Sequence, residues 1–268
     1  MDSCLSLRGF TTETQRAQTK RNNMSEYAVR ITRLNYTYPD GTKALEAIDL
    51  DVRTGERMAL VGPSGAGKST LLLHLNGVLT GNGTVRILGQ ALDPKNLREI
   101  RRQVGVVFQD PNDQLFCPTV YEDVAFGPLN LSVPEEEIPR RVERALRDVG
   151  LDQSIRNRPS HHLSLGERKR VAIATVLSME PAILALDEPT SNLDPRNRRH
   201  LIELIAALPA TLLIATHDLE FVLALCSRTV LMDRGKIWAD GETSSLLQDS
   251  ALMEAHGLEV PLSLRGCK

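Results

Sequence analysis

Cysteine is scarce in this chain. Its 268 residues include four, Cys4, Cys117, Cys226 and Cys267, all far apart. None forms a C-x-x-C pair, so no zinc or dithiol motif is visible. Sparse cysteine without a secretory signal points to a reducing, cytoplasmic setting. Long apolar runs are missing as well. The longest candidate, Leu201 to Thr216, is broken by Glu203 and Pro209 and is too short to cross a bilayer. It reads instead as a helix end, a turn at Pro209 and a buried strand over Thr211–Ala215. A membrane role would need a partner that supplies the spanning helices. Nor is there an excess of one charge: the net is −2, which leaves no bulk footprint for nucleic acid. A local basic run, Arg168-Lys169-Arg170, reads as the polar face of a helix.

What is present is an ordinary globular composition, 41% hydrophobic and 25% charged. The length suits one α/β domain with a small subdomain, or two modest domains. Residues 1–26 are polar and are expected to form a disordered lead-in. Asp2 and Glu13 speak against a transit peptide, and Met24 is an alternative start to Met1.

The most informative stretch is Gly62-Pro63-Ser64-Gly65-Ala66-Gly67-Lys68-Ser69-Thr70, which fits G-x-x-x-x-G-K-[ST]. Met58–Val61 before it reads as a short buried strand, and Leu71–Leu75 after it as a helix start. Strand, glycine-rich turn and helix N-terminus together make an anion site. Gly62, Gly65 and Gly67 let several N–H groups face one phosphate chain. Lys68 adds a point charge for the terminal phosphates, and the Ser69 hydroxyl is placed for Mg²⁺. The plainer alternative is a Gly/Ser surface turn, which the flanking strand and helix disfavour.

Strand and helix patterns alternate along the chain. Ala28–Leu34, Ala47–Val52 and Thr84–Leu88 alternate like half-buried strands of an antiparallel unit. Val104–Phe108 and Ala182–Leu186 are continuous apolar strands, as expected for a parallel sheet covered on both faces. Residues 115–180 read as a helical subdomain. In it, Pro134 leads a charged helix with Glu136/Arg140 and Glu137/Arg141 at i,i+4. A second helix is capped by Ser164. Arg228–Asp233 and Lys236–Asp240 form a hairpin around Arg234-Gly235. With no internal repeat, one nucleotide domain over 27–250 is expected, then a tail over 251–268. Asp187-Glu188 closes an apolar strand at the sheet edge that would face the phosphate loop. Asp187 would hold Mg²⁺ through water, and Glu188 would be the general base or water orienter. An acid pair opening a turn before Pro189 is the plainer alternative.

Further motifs follow in order: Gln109, Leu163-Ser164-Leu165-Gly166-Glu167, Leu186-Asp187-Glu188-Pro189-Thr190, Ser191-Asn192-Leu193-Asp194 and Thr216-His217-Asp218. Over about residues 28–250 this series resembles the ATP-binding cassette (ABC) ATPases. The resemblance implies a P-loop α/β core with a mixed, mostly parallel sheet, an antiparallel β subdomain and a helical subdomain. It implies ATP and Mg²⁺, with Gln109 as the Q-loop residue that coordinates Mg²⁺ and senses a transmembrane partner. Ser164 and Gly166 would be the signature, presented to ATP on the opposite subunit, and Asp194 the D-loop aspartate at the seam. His217 would bond the γ-phosphate and hold Glu188. Tyr38, rather than Tyr36, would stack on adenine. The signature departs from the family's Leu-Ser-Gly-Gly-Gln at Leu165 and Glu167.

Phe108–Phe116, Thr119–Pro128, Asn35–Thr42 and the segment His256–Pro261 are similar to the ATPases of cobalt/nickel and energy-coupling-factor (ECF) importers. That similarity implies a second ATPase subunit, identical or related, and a transmembrane coupling subunit docked near Gln109. A separate membrane protein would capture the substrate. The setting would be the cytoplasmic face of the membrane, with no nucleic acid. Asp110 and Asp113 would pair with basic residues of the docked helix; a solvated turn is the plainer reading. His161-His162 tempts a metal reading, but adjacent residues on regular structure point apart. The gap between P-loop and signature is too short for a chromosome-structure or repair ATPase, and a translation factor of the superfamily would need two cassettes. A soluble ABC ATPase of an iron–sulfur assembly complex is the remaining alternative.

Overall fold

The computed structural model describes residues 26–265, so all but the last residue of the expected lead-in lies outside the described residues. β1 (Tyr27–Thr37) and β2 (Lys43–Arg53) form an antiparallel pair. Their alternation is not perfect, because Ile31 and Leu34 are three positions apart and yet both buried. A register shift between them, with Arg33 at φ 46°, absorbs the odd residue as a bulge. β3 (Arg57–Val61) leads through the glycine loop into α1 (Lys68–Leu75). β4 (Asn82–Ile87) and β5 (Gln90–Ala91) complete a four-stranded sheet in the order β2-β1-β4-β5.

After α2 (Leu97–Gln103) and β6 (Val104–Val107), the chain forms α3 (Val120–Asn130), α4 (Ile138–Asp148) and α5 (Leu165–Leu177), which pack on one another. β7 (Ile183–Asp187), α6 (Pro195–Ala207), β8 (Thr211–Ala215), α7 (Leu219–Leu225), β9 (Arg228–Asp233) and β10 (Lys236–Glu242) follow, then α8 (Thr243–Gln248) and α9 (Ser250–Ala255). The second sheet has the order β10-β9-β3-β8-β7-β6. Only β10 runs antiparallel in it. This is an α/β arrangement with a mixed, mostly parallel sheet and an added antiparallel sheet, as the sequence leads one to expect.

The larger sheet separates two cores. Ala59, Val61, Leu184, Leu186, Leu212 and Ile214 face the helices α3 to α7. Their alternate neighbours Met58, Leu60, Ile183, Ala185, Leu213 and Ala215 face α1 and the antiparallel sheet. Strands buried on both faces have no polar side to show, which is why their sequences are continuous apolar runs.

Three local expectations change. Glu135–Glu137 form a 3₁₀ turn and α4 starts only at Ile138. Glu137 therefore reaches Arg141 at 3.3 Å, whereas Glu136 makes no ion pair with Arg140 among the described residues. The boundary drawn at residue 250 falls at the start of α9, whose Met253 is fully buried against the core. His161 and His162 sit in a 3₁₀ turn that brings their rings together edge-on at 4.3 Å rather than apart.

Candidate functional site

The site assembles where β3, β7 and β8 end. The loop after β3 is pressed against the sheet: a Cβ on Gly62 would lie 1.9 Å from the Met232 carbonyl oxygen, and one on Gly67 2.5 Å from that of Ala44. Gly67, at φ 100°, opens α1. The Gly235 N–H donates to Ala66 O at 3.0 Å, and Gly235 O accepts from the Glu46 N–H at 2.8 Å. The hairpin turn thus ties the loop to β2. Lys68 is buried and donates to the carbonyls of Gly62 at 2.7 Å and Pro63 at 3.0 Å. Burial pulls its ammonium below the usual lysine range, and the charges of Glu188 and Asp187 partly offset that.

Asp187 ends β7, facing Ser69 at the start of α1. Burial pushes its carboxyl above the usual range. Among the described residues its Oδ1 is buried without a hydrogen-bond partner. A buried carboxylate oxygen left unpaired is costly in a folded chain. Beside an exposed serine hydroxyl it fits a hard, oxygen-seeking cation such as Mg²⁺.

Glu188 is held at both ends. Its Oε2 accepts from the Thr216 hydroxyl at 3.0 Å. Its Oε1 accepts from the His217 N–H at 3.1 Å and lies 2.9 Å from His217 Nδ1. Its main chain takes φ 43°, a rare left-handed conformation for a non-glycine. Its N–H donates to Ala215 O at 2.8 Å. Tyr38 joins the cluster from β1's end: its hydroxyl is 3.0 Å from Thr70 Oγ1, and its ring meets Tyr36 edge-on. Tyr36 packs on the buried His74 of α1 instead.

A second group lies at the start of α5. Ser164 and Glu167 form a capping box: the Glu167 N–H donates to Ser164 Oγ at 3.3 Å, and Ser164 N–H to Glu167 Oε2 at 2.8 Å. Glutamate and glutamine both serve this cap, so the departure at Glu167 keeps the helix start intact. Gly166 is buried against α6, where an added Cβ would come within 2.7 Å of the Asn197 side chain. Asp194 caps α6, accepting from the N–H groups of Arg196 at 2.9 Å and Asn197 at 3.0 Å. Neither Ser164 nor Gly166 bonds the phosphate loop among the described residues.

Gln109 follows β6 and is exposed. Asp110 caps a short turn by accepting from the Asn112 N–H at 2.9 Å. Sequence reasoning missed Gln114, which donates to Ala172 O and Thr175 Oγ1, each at 2.7 Å, and fastens the segment to α5. It also missed the buried Asp123, which accepts from the N–H groups of Phe116 and Cys117. Beyond them opens a groove of about 730 Å³ lined by Phe116, Phe126, Leu131 and Met179, with Arg98 and Arg101 at its side. Gln109 does not line it; Gln114 does.

The basic run is not a polar face. Lys169 is only 6% exposed, and Arg170 is half-buried and bonds the carbonyls of Gly166 and Gly150. Burial lowers the Lys169 ammonium to about 8. A burial signal was available in the position of Lys169, five residues beyond Ser164 on a helix whose Val171, Ala172 and Ala174 are apolar.

Residues 45–191 match the family described as ABC transporter. An ABC transporter ATP-binding protein of Streptomyces coelicolor is 56% identical over 229 residues, covering 85% of this chain and 88% of the relative. The energy-coupling factor transporter ATP-binding protein EcfA of Carboxydothermus hydrogenoformans is 46% identical over 242 residues, or 89% of each. The structure of cbiO1 from Clostridium perfringens, part of the ABC transporter complex cbiONQ, aligns with a TM-score of 0.75 at 38% identity, covering 86% of this chain and 94% of that one. A dimeric ATP-binding cassette in a post-hydrolysis state with ADP and Pi aligns at 0.73 and 28% identity, covering 80% and 98%. With its fold and phosphate loop, the chain belongs to the ABC transporter family, and its reaction is ATP hydrolysis.

Proposed function

We propose that this chain is the ATP-hydrolysing subunit of an ECF-type importer, with cobalt, nickel or another such substrate as cargo. It works as one of a pair of ATPase subunits on a transmembrane coupling subunit at the cytoplasmic face, while a separate membrane protein captures the cargo. The Gly62–Thr70 loop, through its backbone amides and Lys68, binds the ATP phosphates, and Tyr38 stacks on the adenine. Ser69, Asp187 and Gln109 hold Mg²⁺, which supplies charge neutralisation at the phosphates. Glu188 accepts the proton of the attacking water as its oxygen bonds the γ-phosphorus and ADP departs. His217 holds Glu188 and bonds the γ-phosphate. Ser164, Gly166 and Asp194 serve the nucleotide of the second subunit.

The observation that carries the transport reading is the groove beside β6. Phe116 is 65% and Phe126 47% exposed, and their rings meet edge-on at the groove. Large exposed aromatics on a groove mark an interaction surface. The naming of EcfA and cbiO1 relatives supports the same assignment. Affinity purification of the tagged chain from detergent-solubilised membranes tests it. Co-recovery of a polytopic membrane protein is expected, and the Phe116→Ser/Phe126→Ser variant should lose that protein while keeping basal ATP hydrolysis. Recovery only with soluble assembly proteins would refute it.

A further inference from the structure

Lys169 brings a buried ammonium from α5 to the turn that carries Glu188. Its Nζ donates to Glu188 O at 3.0 Å and to Ser191 Oγ at 2.9 Å. Ser191 closes the triangle, since its hydroxyl donates to the same Glu188 carbonyl at 2.9 Å and its N–H does so at 3.2 Å. Three donors therefore converge on one carbonyl oxygen. That carbonyl belongs to a residue at φ 43°, a conformation that costs free energy and persists only where surrounding bonds impose it. The opposite side of Glu188 is fixed independently, by Thr216 and His217 at its carboxylate. A solvated lysine would face outward along α5. This one gives up solvation to reach a main-chain oxygen, which is costly unless hydrogen bonds replace the lost water.

We infer that Lys169 is a positioning residue for hydrolysis: it holds the Glu188 turn in its left-handed conformation and ties that turn to the helix opened by Ser164. The inference rests on the proposed role of Glu188 as the base. Movement of α5 then reaches the base of the same subunit through one side chain, so the helix end offered to a second subunit and the subunit's own hydrolysis are mechanically linked. Positioning of a base affects the chemical step more than nucleotide binding.

Lys169→Met keeps the length and removes the donors. Steady-state ATPase of the purified chain is expected to show kcat lowered at least about tenfold, with KM for ATP and the thermal midpoint little changed. The Ser191→Ala variant, which removes one partner of the triangle, should lower kcat severalfold. The double variant should be no slower than Lys169→Met alone, because both act through one turn. Native kcat in Lys169→Met, a loss confined to KM, or a multiplicative double variant overturns the inference. If Lys169→Met does not fold, Ser191→Ala decides alone, and unchanged kcat there overturns it. Glu188→Gln measured in parallel separates the two ideas: a competent Glu188→Gln refutes the base, whereas an inert Glu188→Gln beside a native Lys169→Met refutes only the positioning role.

Discussion

The turn after β7 and the turn before α5 are built in opposite ways. Glu188 has its carboxylate, N–H and carbonyl all bonded within the chain. Ser164 is exposed, and the bonds at its helix end come from the helix's own cap. A base must be immobile before the reactant arrives, because placement within a fraction of an ångström governs proton transfer. A helix end that serves a group from outside has only to be pre-formed and reachable. The contrast supports chemistry completed within one subunit and a signature offered to another.

The largest test of this contrast is Glu188→Gln. The amide keeps the shape but cannot take the proton, so kcat should fall about 10²- to 10⁴-fold, with ATP affinity retained and a nucleotide-bound dimer accumulating. Single-turnover hydrolysis and size-exclusion chromatography with ATP measure both, and hydrolysis near the native rate would remove Glu188 from the mechanism. A smaller effect should follow from Gly166→Ala. The methyl group would strike Asn197 at 2.7 Å, and overpacking of this kind costs about 1–3 kcal/mol. Urea denaturation should register that loss, and Asn197→Ala in the same chain should return part of it. An additive double variant would mean that α5 and α6 do not bear on each other there.

The smallest effect concerns the cap. Hydrogen bonds from the Ser164 hydroxyl and N–H hold the Glu167 carboxyl below its usual range. A carboxyl depressed on folding contributes stability that is complete above its unfolded value, about 4.3, and is lost as pH falls through the folded one. Glu167→Gln should keep the cap and flatten that acid limb in urea titrations. Glu167→Ala should cost about 1 kcal/mol at neutral pH. An unaltered acid limb in Glu167→Gln would place its origin elsewhere.

Much of the fold was legible because it is local. The runs Val104–Val107 and Ile183–Asp187 announce strands with no solvent face, and Pro209 marks the break before β8. The Gly62–Thr70 loop and the Asp187-Glu188 pair could be placed from the apolar strands that end at them, whereas His217 stood out only through its place in the order of the family's motifs. Lys169 was misread for a physical reason: a lysine between two arginines looks solvated, and only the path of the Glu188–Ser191 turn beneath α5 gives its ammonium somewhere to go. Gln114 was opaque in the same way, since Ala172 and Thr175 are far away in sequence; Asp123 accepts from the nearby Phe116 and Cys117 but also from the distant Ser160 hydroxyl at 2.6 Å.

Local sequence sets the elements and the kind of chemistry: a glycine loop that only closely packed backbone can use, apolar strands, and acidic residues at the end of one of them. Which polar groups are pinned and which are left over follows from how distant segments pack. Among the described residues this packing leaves Asp187 Oδ1 without a partner, turns Glu188 to φ 43°, and brings Lys169 and Ser191 to the same carbonyl. The reason is that hydrogen-bond satisfaction in a buried site depends on groups brought together from distant segments, and that meeting is fixed only when the sheet closes between its two cores.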